Sequence, residues 1–94
     1  MDAPTNILLL ETISHEADAL LRENGNVFMA KAPDAGAEIA LDKNIHAIIT
    51  RGKGDVSATL IDQCPRLRVI ARCGVGLDNV DVAHATKKGV RVIN

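Results

Sequence analysis

Five short apolar runs, each parted from the next by a stretch with helical spacing, constrain this chain more than any other feature. The runs occupy residues 7–10, 27–30, 45–50, 67–71 and 90–93. None alternates polar with apolar, so each reads as a strand buried on both faces rather than one with a wet side. Between them lie four helix signals. Ser14 opens the first, with Ala17, Leu20 and Leu21 on one face and Gly25 as its stop; Pro33 and Asp34 open the second, with Ala37, Ala40 and Leu41 on one face. Ser57 caps a third carrying Leu60, Ile61 and Cys64, ended by Pro65; Asp81 caps a fourth that runs to Lys88 and stops at Gly89, with Lys87 and Lys88 at the favourable end of its dipole. Strict alternation of buried strand and helix implies a parallel sheet. The expected fold is α/β: a flavodoxin-like, doubly wound, five-stranded parallel sheet in the order 2-1-3-4-5 with helices on both faces.

A chain of 94 residues holds one domain, and the sequence shows no repeat, linker or low-complexity tract. No segment approaches the ~20 apolar residues of a membrane span, and the first residues carry no basic stretch ahead of an apolar one, so a cytoplasmic location is expected and no membrane partner. With 11 basic and 12 acidic residues, one Phe and no Trp or Tyr, the chain offers neither the field nor the stacking platforms of a nucleic-acid binder. Cys64 and Cys73 are too few for a disulfide framework and are not spaced as a metal pair; both read as small buried hydrophobes.

In a doubly wound sheet, ligands bind beyond the carboxyl ends of the strands. Three segments meet there: Glu11-Thr12-Ile13, Arg51-Gly52-Lys53-Gly54 and Cys73-Gly74-Val75-Gly76. A Gly-X-Gly bend leaves its amides open to a small anion, because no Cβ stands in the way. It also serves as a plain tight turn. Arg51, on the neighbouring strand's loop, can supply a charge-assisted contact to a carboxylate held on that bend, and equally fits a solvated loop residue. Asp78 and Asn79 suit bracing of the bend and capping of the next helix. Lys53, a lone Lys in a glycine-rich loop, reads as solvated, with a contact to a phosphorylated substrate as the alternative. His15, His46 and His84 lie away from the bend, at a helix start, at a strand start and on the surface side of the last helix, and none is placed for acid–base work.

Residues 72–94 closely resemble the D-isomer-specific 2-hydroxyacid dehydrogenase family, which includes phosphoglycerate dehydrogenases and glyoxylate/hydroxypyruvate reductases. The family pattern Gly-X-Gly-X-Asp-Asn-[Ile/Val]-Asp, a helix, then Gly-[Ile/Val]-X-Val-X-Asn is filled from Gly74 to Asn94. A weaker likeness extends to the N-terminus. The resemblance implies that residues 1–94 form the N-terminal portion of a substrate-binding domain, with Arg51, Gly52, Gly74, Val75 and Gly76 around a small 2-oxo or 2-hydroxy acid. It places NAD or NADP, and the catalytic groups, on a dinucleotide-binding domain outside this chain, in a protein that is commonly a homodimer. The 94 residues alone are expected to be inactive. Consistently, Asn79 stands where a Gly-X-Gly-X-X-Gly fingerprint needs its third glycine. Val75, apolar where phosphoglycerate dehydrogenases commonly have a small polar residue, tilts the expectation toward a short non-phosphorylated acid such as glyoxylate or hydroxypyruvate.

Other classes fit less well. A response-regulator receiver needs an Asp after strand 3, where Thr50-Arg51 stand, and a flavodoxin needs a hydroxyl-rich loop after strand 1 and aromatic flanks. A stand-alone small-molecule-binding or interaction domain without catalysis is the remaining alternative.

Overall fold

A computed structural model describes residues 4–74, 76 and 78–94. Five strands, β1 (Thr5–Leu9), β2 (Gly25–Met29), β3 (Ala47–Thr50), β4 (Val69–Arg72) and β5 (Arg91–Ile93), alternate with helices α1 (His15–Asn24), α2 (Gly36–Ala40), α3 (Ala58–Asp62) and α4 (Val82–Lys87). The sheet is wholly parallel, in the order β2-β1-β3-β4-β5. The expected topology and strand order are therefore found.

Register explains where the core lies. Leu8, Phe28, Ile48, Ile70 and Val92 stand side by side across the strands. With Leu10, Ala40, Leu60, Ile61 and Ala85 they build one apolar cluster beneath α2, α3 and α4. The chain's single reversal, from β2 back across β1, puts α1 on the opposite face, since parallel crossovers are right-handed. That face carries Ile7, Leu9 and Ala47, which are buried, Ile49, Val69 and Ala71, which are half-buried, and Ile93, which is exposed; cover thins toward β5, and α1 itself has no buried residue.

Local capping follows the expected chemistry. Ser14, Ser57 and Asp81 accept from the amides of Ala17, Leu60 and His84 at 3.2, 3.3 and 3.0 Å. Four details differ from expectation. Helix α2 begins at Gly36 rather than Pro33-Asp34, because those two residues form a turn closed by the Ala35 amide on the Ala32 carbonyl at 3.0 Å. The helix ends after Ala40, so Leu41 lies beyond it and is 74% exposed instead of buried. Leu20 is likewise exposed, on α1, which packs mainly against the edge strand β2. Helix α3 stops at Asp62, short of Pro65; the ring disfavours helical backbone at the preceding Cys64, which tucks into the core. Among the described residues no helix is long and apolar enough to cross a membrane.

Candidate functional site

The loops after β1, β3 and β4 meet at the carboxyl edge of the sheet, and Glu11, two residues past β1, ties the first two together. Its Oε2 accepts from the Thr50 hydroxyl at 2.8 Å and from the backbone amides of Arg51, Lys53 and Gly54 at 2.7, 3.0 and 2.7 Å. Successive amides aimed at one point form an anion-binding concavity, and here the chain's own carboxylate fills it. Burial works to raise the Glu11 carboxyl, but the bonds from Thr50, Arg51, Gly54 and Lys53 outweigh it and hold the group below its ordinary value. Gly54 is required at its place: a Cβ there would fall on Thr50 Oγ1 and press on Leu10.

Asn79 ties the second loop to the third. Its Nδ2 donates to the carbonyls of Arg51 and Gly54 at 3.0 and 2.7 Å, while its Oδ1 accepts from Arg72 Nε at 2.9 Å. Its backbone carbonyl also accepts the Val56 amide at 3.0 Å, beside the isolated bridge Val56–Val80. The Arg72 guanidinium lies between the two glycine loops: a Cβ on Gly52 would sit 3.4 Å from Nη2, and one on Gly74 would sit 3.1 Å from Nη1. Gly74 and Gly76 both have positive φ, 132° and 84°, which supports a bend that side chains would strain.

Arg51 and the bend share one rim. Arg51 lines an open cavity of about 440 Å³ with Ile13, Ser14, Ala17 and Cys73, and the Cys73 amide donates to the Thr50 carbonyl at 2.9 Å. The guanidinium is exposed and rests on the Thr12 carbonyl through Nη1 at 3.3 Å. On its other side, Arg51, Gly52 and Lys53 border a cavity of about 560 Å³ with Glu11, Lys31 and Met29. Of the expected site residues, Arg51, Gly52, Gly74 and Gly76 thus gather at one edge; Val75 lies outside the described residues. Sequence reasoning placed Glu11 at this edge without a role, and missed Thr50 and Arg72. The available signal was a carboxylate directly after a buried strand and a lone Thr at the end of another.

Two assignments are corrected. Cys73 is exposed, not a buried hydrophobe, because it follows the last residue of β4 on the rim where no helix covers it; Cys64 is buried, which pushes its thiol up to about 11. His84 does not face away from the protein: it turns toward α3, with Nε2 2.8 Å from Asp62 Oδ1. His46 accepts the Asn6 amide on Nδ1 at 2.9 Å, at the far end of the sheet. Among the described residues no group of three His, Cys, Asp or Glu is placed to share a metal ion.

A pyrophosphate loop needs a third glycine for close helix–strand packing, whereas Asn79 stands there with its side chain committed to both neighbouring loops.

The family model described as D-isomer specific 2-hydroxyacid dehydrogenase, catalytic domain, matches residues 7–94. The chain belongs to the D-isomer specific 2-hydroxyacid dehydrogenase family. It is 35% identical over 94 residues to the D-3-phosphoglycerate dehydrogenase of Mycobacterium leprae, covering all of this chain and 18% of that protein. Among solved structures it is similar to the 2-hydroxyacid dehydrogenase of Ketogulonicigenium vulgare, with a TM-score of 0.81 and 33% identity over 97% of this chain and 29% of that one. It is similar also to the NADPH-dependent glyoxylate/hydroxypyruvate reductase of Sinorhizobium meliloti, solved with NADP and malonate, with a TM-score of 0.81 and 26% identity over 98% of this chain and 28% of that one. The chain thus spans less than a third of each of these dehydrogenases.

Proposed function

We propose that this chain forms the N-terminal portion of the substrate-binding domain of an NAD(P)-dependent D-2-hydroxyacid dehydrogenase, which interconverts 2-oxo and D-2-hydroxy acids by hydride transfer. The observation that carries the reading is the meeting of Arg51 with Cys73, the residue that leads into the glycine bend, in one cavity at the sheet's carboxyl edge. A guanidinium supplies a charge-assisted, bidentate contact to a carboxylate, and amides of the positive-φ bend complete its lone pairs. Gly52 and Gly74 matter through the closeness they allow around Arg72. Held this way, a 2-oxo acid presents its carbonyl carbon outward, and the chain's contribution is orientation.

The bound nicotinamide supplies or accepts the hydride in such an enzyme, and it belongs to polypeptide other than these residues. The S. meliloti relative's name links a similar fold to glyoxylate and hydroxypyruvate, and apolar Val75 favours a short non-phosphorylated acid of that kind. The active protein works in the cytoplasm as a homodimer.

Glyoxylate titrated into the 94-residue chain, followed by amide shifts, tests the reading. Saturable shifts of Gly74 and Gly76 that vanish in Arg51→Ala are expected, together with no oxidation of added NADH. Shifts unaffected by Arg51→Ala, or turnover by the chain alone, would overturn it.

A further inference from the structure

We propose that Glu11 is a positioning residue for the oxo-acid site: by gathering the Thr50 hydroxyl and the amides of Arg51, Lys53 and Gly54 on one carboxylate oxygen, it fixes the loop from which Arg51 reaches the ligand. The inference rests on the proposed site and deepens it. A four-residue loop with two glycines loses much entropy on ordering, and within it Arg51 is an exposed side chain. The β1 loop answers both problems. Glu11 holds the Arg51 main chain through its amide, and the next residue, Thr12, holds its side chain through a carbonyl.

The arrangement also distinguishes two anion-binding places at this edge. The concavity after β3 is filled by Glu11, so the amides of Arg51, Lys53 and Gly54 are committed and the ligand is left to the Arg51 guanidinium and the bend after β4. Glu11 also borders the 560 Å³ cavity beside Arg51. Its charge is distributed over four donors rather than offered to an incoming carboxylate. Its role in binding is therefore the opposite of repulsion.

Glyoxylate titration of wild type, Glu11→Gln, Arg51→Ala and the double variant, each checked for fold by its amide spectrum, tests the proposal. Gln keeps the length but loses the charge that shortens and strengthens these bonds. Expected are an approximately tenfold weaker Kd for Glu11→Gln, about 100-fold for Arg51→Ala, and no further loss in the double variant, the non-additivity of residues acting through one another. A role confined to stability would lower the melting temperature and leave Kd unchanged. Should Glu11→Gln not fold, Thr50→Val removes a single donor and is expected to weaken binding about threefold, again only while Arg51 is present. Unchanged or tighter binding in the folded Glu11→Gln or Thr50→Val protein, or additive losses, overturns the positioning role while the site stands. Absence of any wild-type binding overturns the site and this inference together.

Discussion

The side-chain amide of Asn79 donates to the carbonyl of Gly54 at 2.7 Å, bridging 25 residues of sequence between the loops after β3 and β4. The same Nδ2 reaches the Arg51 carbonyl, and Oδ1 receives Arg72. One half-buried amide thereby holds together the two loops that flank the proposed ligand site.

Asn79→Ala deprives the Arg51 and Gly54 carbonyls of this donor and removes one acceptor from Arg72. Orphaned polar groups that are partly buried cost about 1–3 kcal/mol, and a domain of this size loses roughly 4–8 °C of melting temperature per kcal/mol. A drop of several degrees is expected, with faster hydrogen exchange concentrated at Val56, whose amide the Asn79 backbone holds. Thermal unfolding and exchange by NMR check both, and a variant as stable as wild type would show the staple to be idle.

The Glu11 knot has a pH signature. A carboxyl held below its ordinary value contributes stability that is fully present above the unfolded pKa, about 4.3, and disappears as pH falls through the lower folded value. Wild type should exceed Glu11→Gln in stability by about 1.5–3 kcal/mol near neutrality, the worth of hydrogen bonds to a charged group. The gap should narrow as the pH falls below the unfolded value and close once it passes the lower folded one. Denaturant melts across pH 3 to 7 measure it; a gap independent of pH would mean that the charge is not what the loop senses.

The alternation of strands and helices was readable because its signals are local: apolar runs, Ser and Asp caps, and Gly and Pro stops each act within a few residues. The strand order followed from crossover handedness. The placement of Arg51 near the glycine bend was readable for the same reason, since neighbouring strands in a parallel sheet deliver their loops to one edge. Glu11's role was not readable, because its partners lie 39 to 43 residues away and three of them are backbone amides, which carry no residue signature. Leu41 failed differently. Periodicity put it on the apolar face of a helix that stops one residue earlier, after Ala40. Cys73 was misjudged because composition records that cysteine prefers interiors, not that this one falls where a strand has just ended.

Gly54→Ala tests the close packing of the knot. The added methyl would coincide with Thr50 Oγ1, itself fully buried, and approach Leu10 Cδ1 at 2.9 Å. Overpacking of this kind costs about 1–3 kcal/mol. Because relief requires Thr50 to turn away, the hydroxyl bond to Glu11 is lost as well. Gly52→Ala, whose added carbon meets only Arg72 Nη2 at 3.4 Å among the described residues, should be far milder. Equal melting temperatures for the two variants would contradict the packing described.

The two thiols should behave oppositely, and one of them reports on the site. Cys64 is buried, with its thiol pushed up to about 11, so a maleimide at neutral pH should leave it unmodified until the chain unfolds. Cys73 is exposed and should be labelled in the native state. It shares a cavity with Arg51, so an anion seated on that guanidinium covers the sulfur. Malonate, an unreactive dicarboxylate, should slow Cys73 labelling severalfold in wild type and leave it unchanged in Arg51→Ala. Mass spectrometry of peptides from timed labelling distinguishes the two cysteines. Protection that persists in Arg51→Ala would mean that malonate binds elsewhere, and labelling of Cys64 at the same rate as Cys73 would show the core around α3 to be open.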